Sequence, residues 1–162
     1  MNRETVFMKT AYIAFLIGSF LVFLPGCGGC SCEKKTGLVL VNVLDKEQYE
    51  DCRIKGSINI PFDMIETLAD RVDKDADVVI YCSNYQCSSS EYAARKLKQK
   101  GFEKVAVYEG GMAEWYQQGL PVEGPQTQAY LKKSCTPTVL ENGSEIPIIS
   151  VDELAHKMGI AK

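Results

Sequence analysis

The chain has 162 residues, 46% of them hydrophobic and 24% charged, a composition that suits a globular protein with room for about one domain. Its formal charge is −3, from 18 basic and 21 acidic side chains with no basic run. The electrostatic footprint of a phosphate-backbone binder is therefore missing, and nucleic acid is not an expected partner.

The first 26 residues read as an export signal. Arg3 and Lys9 precede an apolar run over residues 10–24, and Pro25, Gly26 and Cys27 then break the pattern. Fifteen residues are short for a hydrocarbon core of roughly 30 Å but fit the apolar region of a signal peptide. The junction Leu24, Pro25, Gly26, Cys27 resembles a bacterial lipobox, with Pro25 an atypical residue there, and the resemblance implies that Cys27 carries a lipid. Met8 followed by Lys9 would also give a compact signal, and an uncleaved anchor helix is the alternative. Without residues 1–26 the chain keeps 16 basic and 20 acidic side chains. The expected location is the bacterial cell envelope, where cysteines pair or must be kept reduced.

Residues 27–37 are short, polar and glycine-containing, as a tether would be. Cys30 and Cys32 could pair or bind metal, but no second cluster offers two more ligands, and His156 is the only histidine. No metal or other cofactor is expected.

From Leu38 strands and helices alternate. LVLVNV (38–43) is a predicted strand, followed by a short helix near 46–51, the strand SINI (57–60) and a helical stretch around 63–71. VVIYC (78–82) is the next strand; then come a helix from about Ser88 to Lys100 stopped by Gly101, the strand VAVY (105–108), and a helix near 112–118 stopped by Gly119. Strands without polar alternation are buried on both faces, so the expected fold is α/β, a parallel sheet flanked by helices. After Gly124 and Pro125 the texture changes: Asn142–Gly143 suggests a tight hairpin turn, and IPIIS leads into VDELAHKM, with Ser150 and Glu153 forming a capping box.

The stretch VVIYCSNYQCSSSEYAARKLKQKGF delivers Cys82 from a buried strand into a loop, with Ser88 and Glu91 as a capping box for the helix that follows. Loop and helix-start N–H groups would point at the strand end, lowering the pKa of Cys82 and making it a thiolate nucleophile. An inert buried thiol at a strand end is the competing reading.

Taken together, GSINIPF (56–62), VVIYC, a helix, VAVYEGGMAEW and GLPVEG (119–124) resemble the rhodanese family in order and spacing over roughly residues 38–124. Gly110, Gly111 and Trp115 are the most specific part. The resemblance implies a sulfurtransferase in which Cys82 takes a sulfane sulfur as a persulfide and hands it to a thiol acceptor. Ser83, Asn84, Tyr85, Gln86, Cys87 and Ser88 would line the pocket. Where the family often has loop arginines this chain has Ser83 and Cys87, so thiosulfate is not implied as donor. Asn42, Leu44 and Arg53 stand where the family usually has aspartate, arginine and histidine.

A phosphatase of related fold would need an arginine where Ser88 stands, and a cysteine–histidine hydrolase would need a second histidine or a neighbouring His156. Two rivals remain. Cys87 could be a resolving thiol, which would make the pair a dithiol/disulfide redox site served by an envelope thiol reductant, or it could be a packing residue. A non-catalytic binding module is the third reading. Trp115, Phe62, Tyr108 and Leu97 read as core, His156 as a solvated helix residue, and Cys52 and Cys135 as a pair the sequence neither requires nor forbids.

Rhodanese domains usually begin with a short strand and helix reading something like ISxEEL, whereas only the tether precedes Leu38. IISVDEL (148–154) has that look. The domain is therefore expected to be circularly permuted, with part of residues 125–162 completing it.

Overall fold

A computed structural model describes residues 37–133 and 145–160. The expected signal segment, Cys27, Cys30, Cys32, Cys135 and the turn expected at Asn142–Gly143 lie outside them.

The elements follow the hydrophobic runs. In chain order they are β1 (Leu38–Asn42), α1 (Lys46–Asp51), β2 (Arg53–Ile54), β3 (Ile58–Asn59), a 3-10 helix (Phe62–Asp70), β4 (Asp77–Tyr81), α2 (Ser89–Gln99), β5 (Val105–Tyr108), α3 (Gly111–Gln117), β6 (Val122–Glu123), a second 3-10 turn (Ala129–Lys132) and α4 (Val151–Lys157). The helical stretch expected at 63–71 is a 3-10 helix. The two-residue strands β2 and β6, paired antiparallel, were not anticipated, because two residues carry no readable period.

The main sheet has the order β3-β1-β4-β5 with all pairs parallel. Both its faces are covered, which explains the unbroken apolar strands. Val78, Ile80 and Cys82 point into one core with Leu68, Ala93, Ala94 and Leu97. Val79 and Tyr81 point into the other with Leu40, Cys52, Tyr108, Met112 and Trp115. Fully burying a side chain such as Leu97 contributes about 1.5–3 kcal/mol. Phe62, expected in the core, is only partly buried, with the Lys96 ammonium 5.1 Å from its ring centre.

The C-terminal segment joins this same sheet. Val107 N–H donates to Pro147 O at 2.9 Å and Ile149 N–H to Val107 O at 2.9 Å, a parallel bridge on the free edge of β5. Leu154 and Ala155 of α4 pack with Leu40, Val79 and Ala106. The bridge and α4 thus join the sheet that contains β1, at the edge formed by β5. The expected Ser150–Glu153 capping box starts α4, whereas the one expected at Ser88 does not form. Ser88 already has helical dihedrals and makes no side-chain cap, and Glu91 is turned toward Arg95, 2.6 Å away.

The departures on β1 and after α1 are structural. Asn42, fully buried, accepts Leu44 N–H at 2.8 Å, and Arg53 pairs with Glu123 across β2 and β6 at 3.0 Å. Asp51 ties down the start of the C-terminal arm. Its carboxylate accepts the N–H groups of Thr127 (2.9 Å) and Gln128 (3.1 Å) and the Thr127 hydroxyl (2.5 Å). Burial works to raise the Asp51 pKa, and the hydrogen bonds from Thr127 and Gln128 outweigh it, so the carboxyl is held below its ordinary value.

A folded-state pKa below the unfolded value adds stability that is present above the unfolded pKa and lost as pH falls through the folded one. Asp51→Ala is expected to cost about 1–3 kcal/mol in urea unfolding at neutral pH. The gap to the parent should narrow as the pH is lowered below the ordinary aspartate range. A gap independent of pH would show that the carboxylate charge is not what holds the arm.

Candidate active site

β4 lies between β1 and β5, so its C-terminal end is held from both sides, and Cys82 is the next residue. Its side chain is fully buried. The Cys82 sulfur lies 3.1 Å from the Cys87 carbonyl oxygen and 3.8 Å from that of Asn84, and the Ser90 hydroxyl donates to it at 3.7 Å.

The loop from Ser83 to Ser88 is shaped by short bonds. Asn84 accepts Gln86 N–H through its side chain (3.0 Å) and Cys87 N–H through its carbonyl (3.0 Å). The first turn of α3 closes the other side, with Met112 N–H donating to Cys82 O and Ala113 N–H to Ser83 O, both at 2.9 Å. Gly111 makes this approach possible. It has φ +61, and a β-carbon there would lie 2.6 Å from Cys82 O and 2.8 Å from Asn84 N. Glu114 braces the loop, accepting the Tyr85 hydroxyl at 2.9 Å and the Tyr108 hydroxyl at 2.8 Å.

Cys82 donates to the backbone carbonyl of Cys87, which makes the two thiols neighbours, and their surroundings differ. For Cys82 the neighbouring Cys87 thiol, burial and the charge of Cys87 all hold the proton on, pushing its pKa up. For Cys87 the neighbouring Cys82 thiol lowers the pKa to about 5 against a smaller effect of burial, with further help from Ser89 and the Ser83 N–H. The Ser90 hydroxyl and the Asn84 backbone pull the Cys82 pKa the other way without overcoming the neighbouring thiol and burial, so the direction is up for Cys82 and down for Cys87. This corrects the expectation of a lowered pKa at Cys82.

Cys87 is partly exposed and lines a cavity of about 280 Å³ together with Tyr85, Gln86, Ser88, Ser90, Glu91 and Glu109. Ser83 and Asn84, expected in the pocket lining, instead supply backbone and turn contacts behind it. Ser90, Glu91, Glu109 and Glu114 were not foreseen. Glu109 had a signal in the sequence, since it follows the strand beside β4 and so must stand at the same end of the sheet. Cys52 is a free, fully buried thiol whose pKa burial raises to about 11. His156 is exposed on α4, away from the residues that line the cavity. Among the described residues no cluster of three His, Cys, Asp or Glu side chains could hold a metal ion.

Comparison with known proteins gives one consistent family. The sequence model for the Rhodanese-like domain matches residues 32–118. An HTH-type transcriptional regulator of Mycobacterium tuberculosis is 39% identical over 89 residues, covering 53% of this chain and 38% of that protein. The chain thus spans about two fifths of that relative's length. A thiosulfate sulfurtransferase of Glaesserella parasuis is 31% identical over 85 residues, covering 52% of this chain and 77% of that one. The crystal structure of a Bacillus halodurans protein superposes with a TM-score of 0.54 at 33% identity, covering 60% of this chain and 72% of the other.

The placement of charge leads to a measurable order of reactivity. Iodoacetamide at pH 6.5 should alkylate Cys87 before Cys82 and Cys52, with a rate that rises through a midpoint near pH 5, because the thiolate is the nucleophile. Peptide mapping reads the site. Initial labelling on Cys82, persisting in Cys87→Ser with the same midpoint, would reverse the charge assignment.

Proposed function

The chain belongs to the rhodanese-like domain family, and we propose that it is a sulfurtransferase that carries sulfane sulfur as a persulfide on Cys82. The observation that carries this reading is the pair itself: Cys82 at the end of the central strand, its sulfur hydrogen-bonded to the backbone of a second cysteine whose thiol opens on a cavity. Likeness to a protein named as a thiosulfate sulfurtransferase supports the same reaction class.

In this mechanism the Cys87 thiolate takes the proton of Cys82 as the Cys82 sulfur attacks the outer sulfur of a donor. The new S–S bond forms on Cys82, and the donor's own bond to that sulfur breaks, its electron pair leaving with the donor's remaining group. A thiolate acceptor then attacks the outer sulfur and departs as a persulfide, and Cys82 leaves as the thiolate. Loop N–H groups steady the negative charge while it resides on the pair.

The contact between the thiols favours a second outcome for the same site. Attack of the Cys87 thiolate on the inner sulfur of the Cys82 persulfide would form a Cys82–Cys87 disulfide and expel hydrosulfide, and an envelope dithiol reductant would restore the pair. A binding module without catalysis would show neither product.

Intact mass after incubation with a sulfane donor tests all three. The parent should gain roughly 32 Da, one sulfur atom, on Cys82, and Cys82→Ser should gain none there. If Cys87 resolves, Cys87→Ser should accumulate persulfide and the oxidised parent should yield an 82–87 disulfide on mapping. Absence of both products in the parent would sink the sulfurtransferase reading.

We also infer that the domain is a lipoprotein, held at the envelope membrane through Cys27, on the strength of the apolar run and the cysteine that ends it. Cys27→Ser should shift the protein from the membrane to the soluble fraction. Retention with residues 1–26 still attached would instead establish an uncleaved anchor.

A further inference from the structure

Resting on the sulfurtransferase reading, we propose that Glu109 is a specificity-determining residue that turns away multiply anionic sulfur donors, so that the site draws its sulfur from persulfides of uncharged or cation-bearing thiols. The argument starts from what lines the cavity. Tyr85, Gln86, Ser88 and Ser90 are neutral, Glu91 and Glu109 are acidic, and no lysine or arginine is among the lining residues. Cys87 adds a thiolate.

The two carboxylates are not equivalent. Glu91 is paired with Arg95 at 2.6 Å, one helical turn along α2, which answers most of its charge. Glu109 has no ion-pair partner among the described residues. It is half-buried, and burial first and the charge of Glu91 second push its pKa up, so the two groups sense each other across the cavity. The partial positive charge of the loop N–H groups does not offset this, because those of Ser83 and Ser89 are directed at the Cys87 sulfur. The loop itself offers no cation, since residues 83–90 contain neither lysine nor arginine. An incoming dianion therefore meets a carboxylate and a thiolate with only N–H dipoles between. A zwitterionic persulfide can instead place its ammonium against Glu109 while its outer sulfur reaches the pair.

The chemistry is the same for every donor. With thiosulfate the cysteine–sulfur bond forms as the sulfur–sulfur bond breaks and sulfite leaves with the electron pair. With a thiol persulfide the leaving group is the thiolate. Only the charge borne into the cavity differs.

The test measures the rate of mass gain with three donors: thiosulfate, glutathione persulfide and cysteamine persulfide, the first two multiply anionic and the third zwitterionic. The parent is expected to load fastest from cysteamine persulfide. Glu109→Gln should raise the thiosulfate rate about tenfold and lower the cysteamine persulfide rate, Glu109→Lys should exaggerate both changes, and Glu91→Gln should have a smaller effect. Added salt should speed thiosulfate loading of the parent more than that of Glu109→Gln. Thermal melting of each variant establishes that it is folded. An unchanged thiosulfate-to-cysteamine ratio in both Glu109 variants would overturn the role of Glu109. Failure of the parent to load from any donor would overturn the sulfurtransferase reading instead.

Discussion

The site depends on one close approach of backbone to backbone. The start of α3 lies so near the chain from Cys82 to Asn84 that residue 111 has room for a hydrogen and no more, and it does so at a positive φ. That contact lets Met112 and Ala113 donate to the carbonyls of Cys82 and Ser83, which would otherwise stand unpaired at the end of a buried strand. With those carbonyls engaged, the loop turns on Asn84 and brings Cys87 back over Cys82. Any side chain at 111 would push the loop away from α3 and separate the two thiols from the geometry that distinguishes them.

The distinction between the thiols then follows from which backbone groups each meets. Cys82 faces the carbonyls of Asn84 and Cys87, while Cys87 meets the N–H groups of Ser83 and Ser89. Burial and the neighbouring thiol favour the protonated form of Cys82, and the donors around Cys87 favour its thiolate. Cys82 is thus a fully buried thiol, and Cys87, beside it, is the one that reaches the cavity. In the proposed mechanism that places the nucleophile behind its base.

Much of this was legible in the sequence. The unbroken apolar runs at 38–43, 78–82 and 105–108 required a doubly covered parallel sheet, and Gly101 and Gly119 ended their helices where expected, each at positive φ. Cys82 followed from its place at the end of a strand. What was not legible depended on tertiary geometry. The inward turn that buries Cys82 completely and brings Cys87 beside it cannot be read from residue types, and it is what raises the Cys82 pKa where the sequence led to a lowered one. Glu91 had the spacing of a capping box, but an arginine one turn later competed for it and Ser88 adopted helical dihedrals. The bracing carboxylate of Glu114 is sequence-silent because its partners, Tyr85 and Tyr108, are brought to it only by the loop and by β5.

The parallel pairing of β1 with β4 has a consequence for orientation. In a parallel sheet all strands start at one end, and Leu38 pairs in register with Asp77, the first residue of β4. The chain therefore enters the domain at the end of the sheet opposite to Cys82, about five residues or ~16 Å away along the strands. At the β5 edge Ile148 sits beside Val107, so the C-terminal segment covers that side of the sheet and leaves β1 and β4 as interior strands, with Cys82 following the second of them.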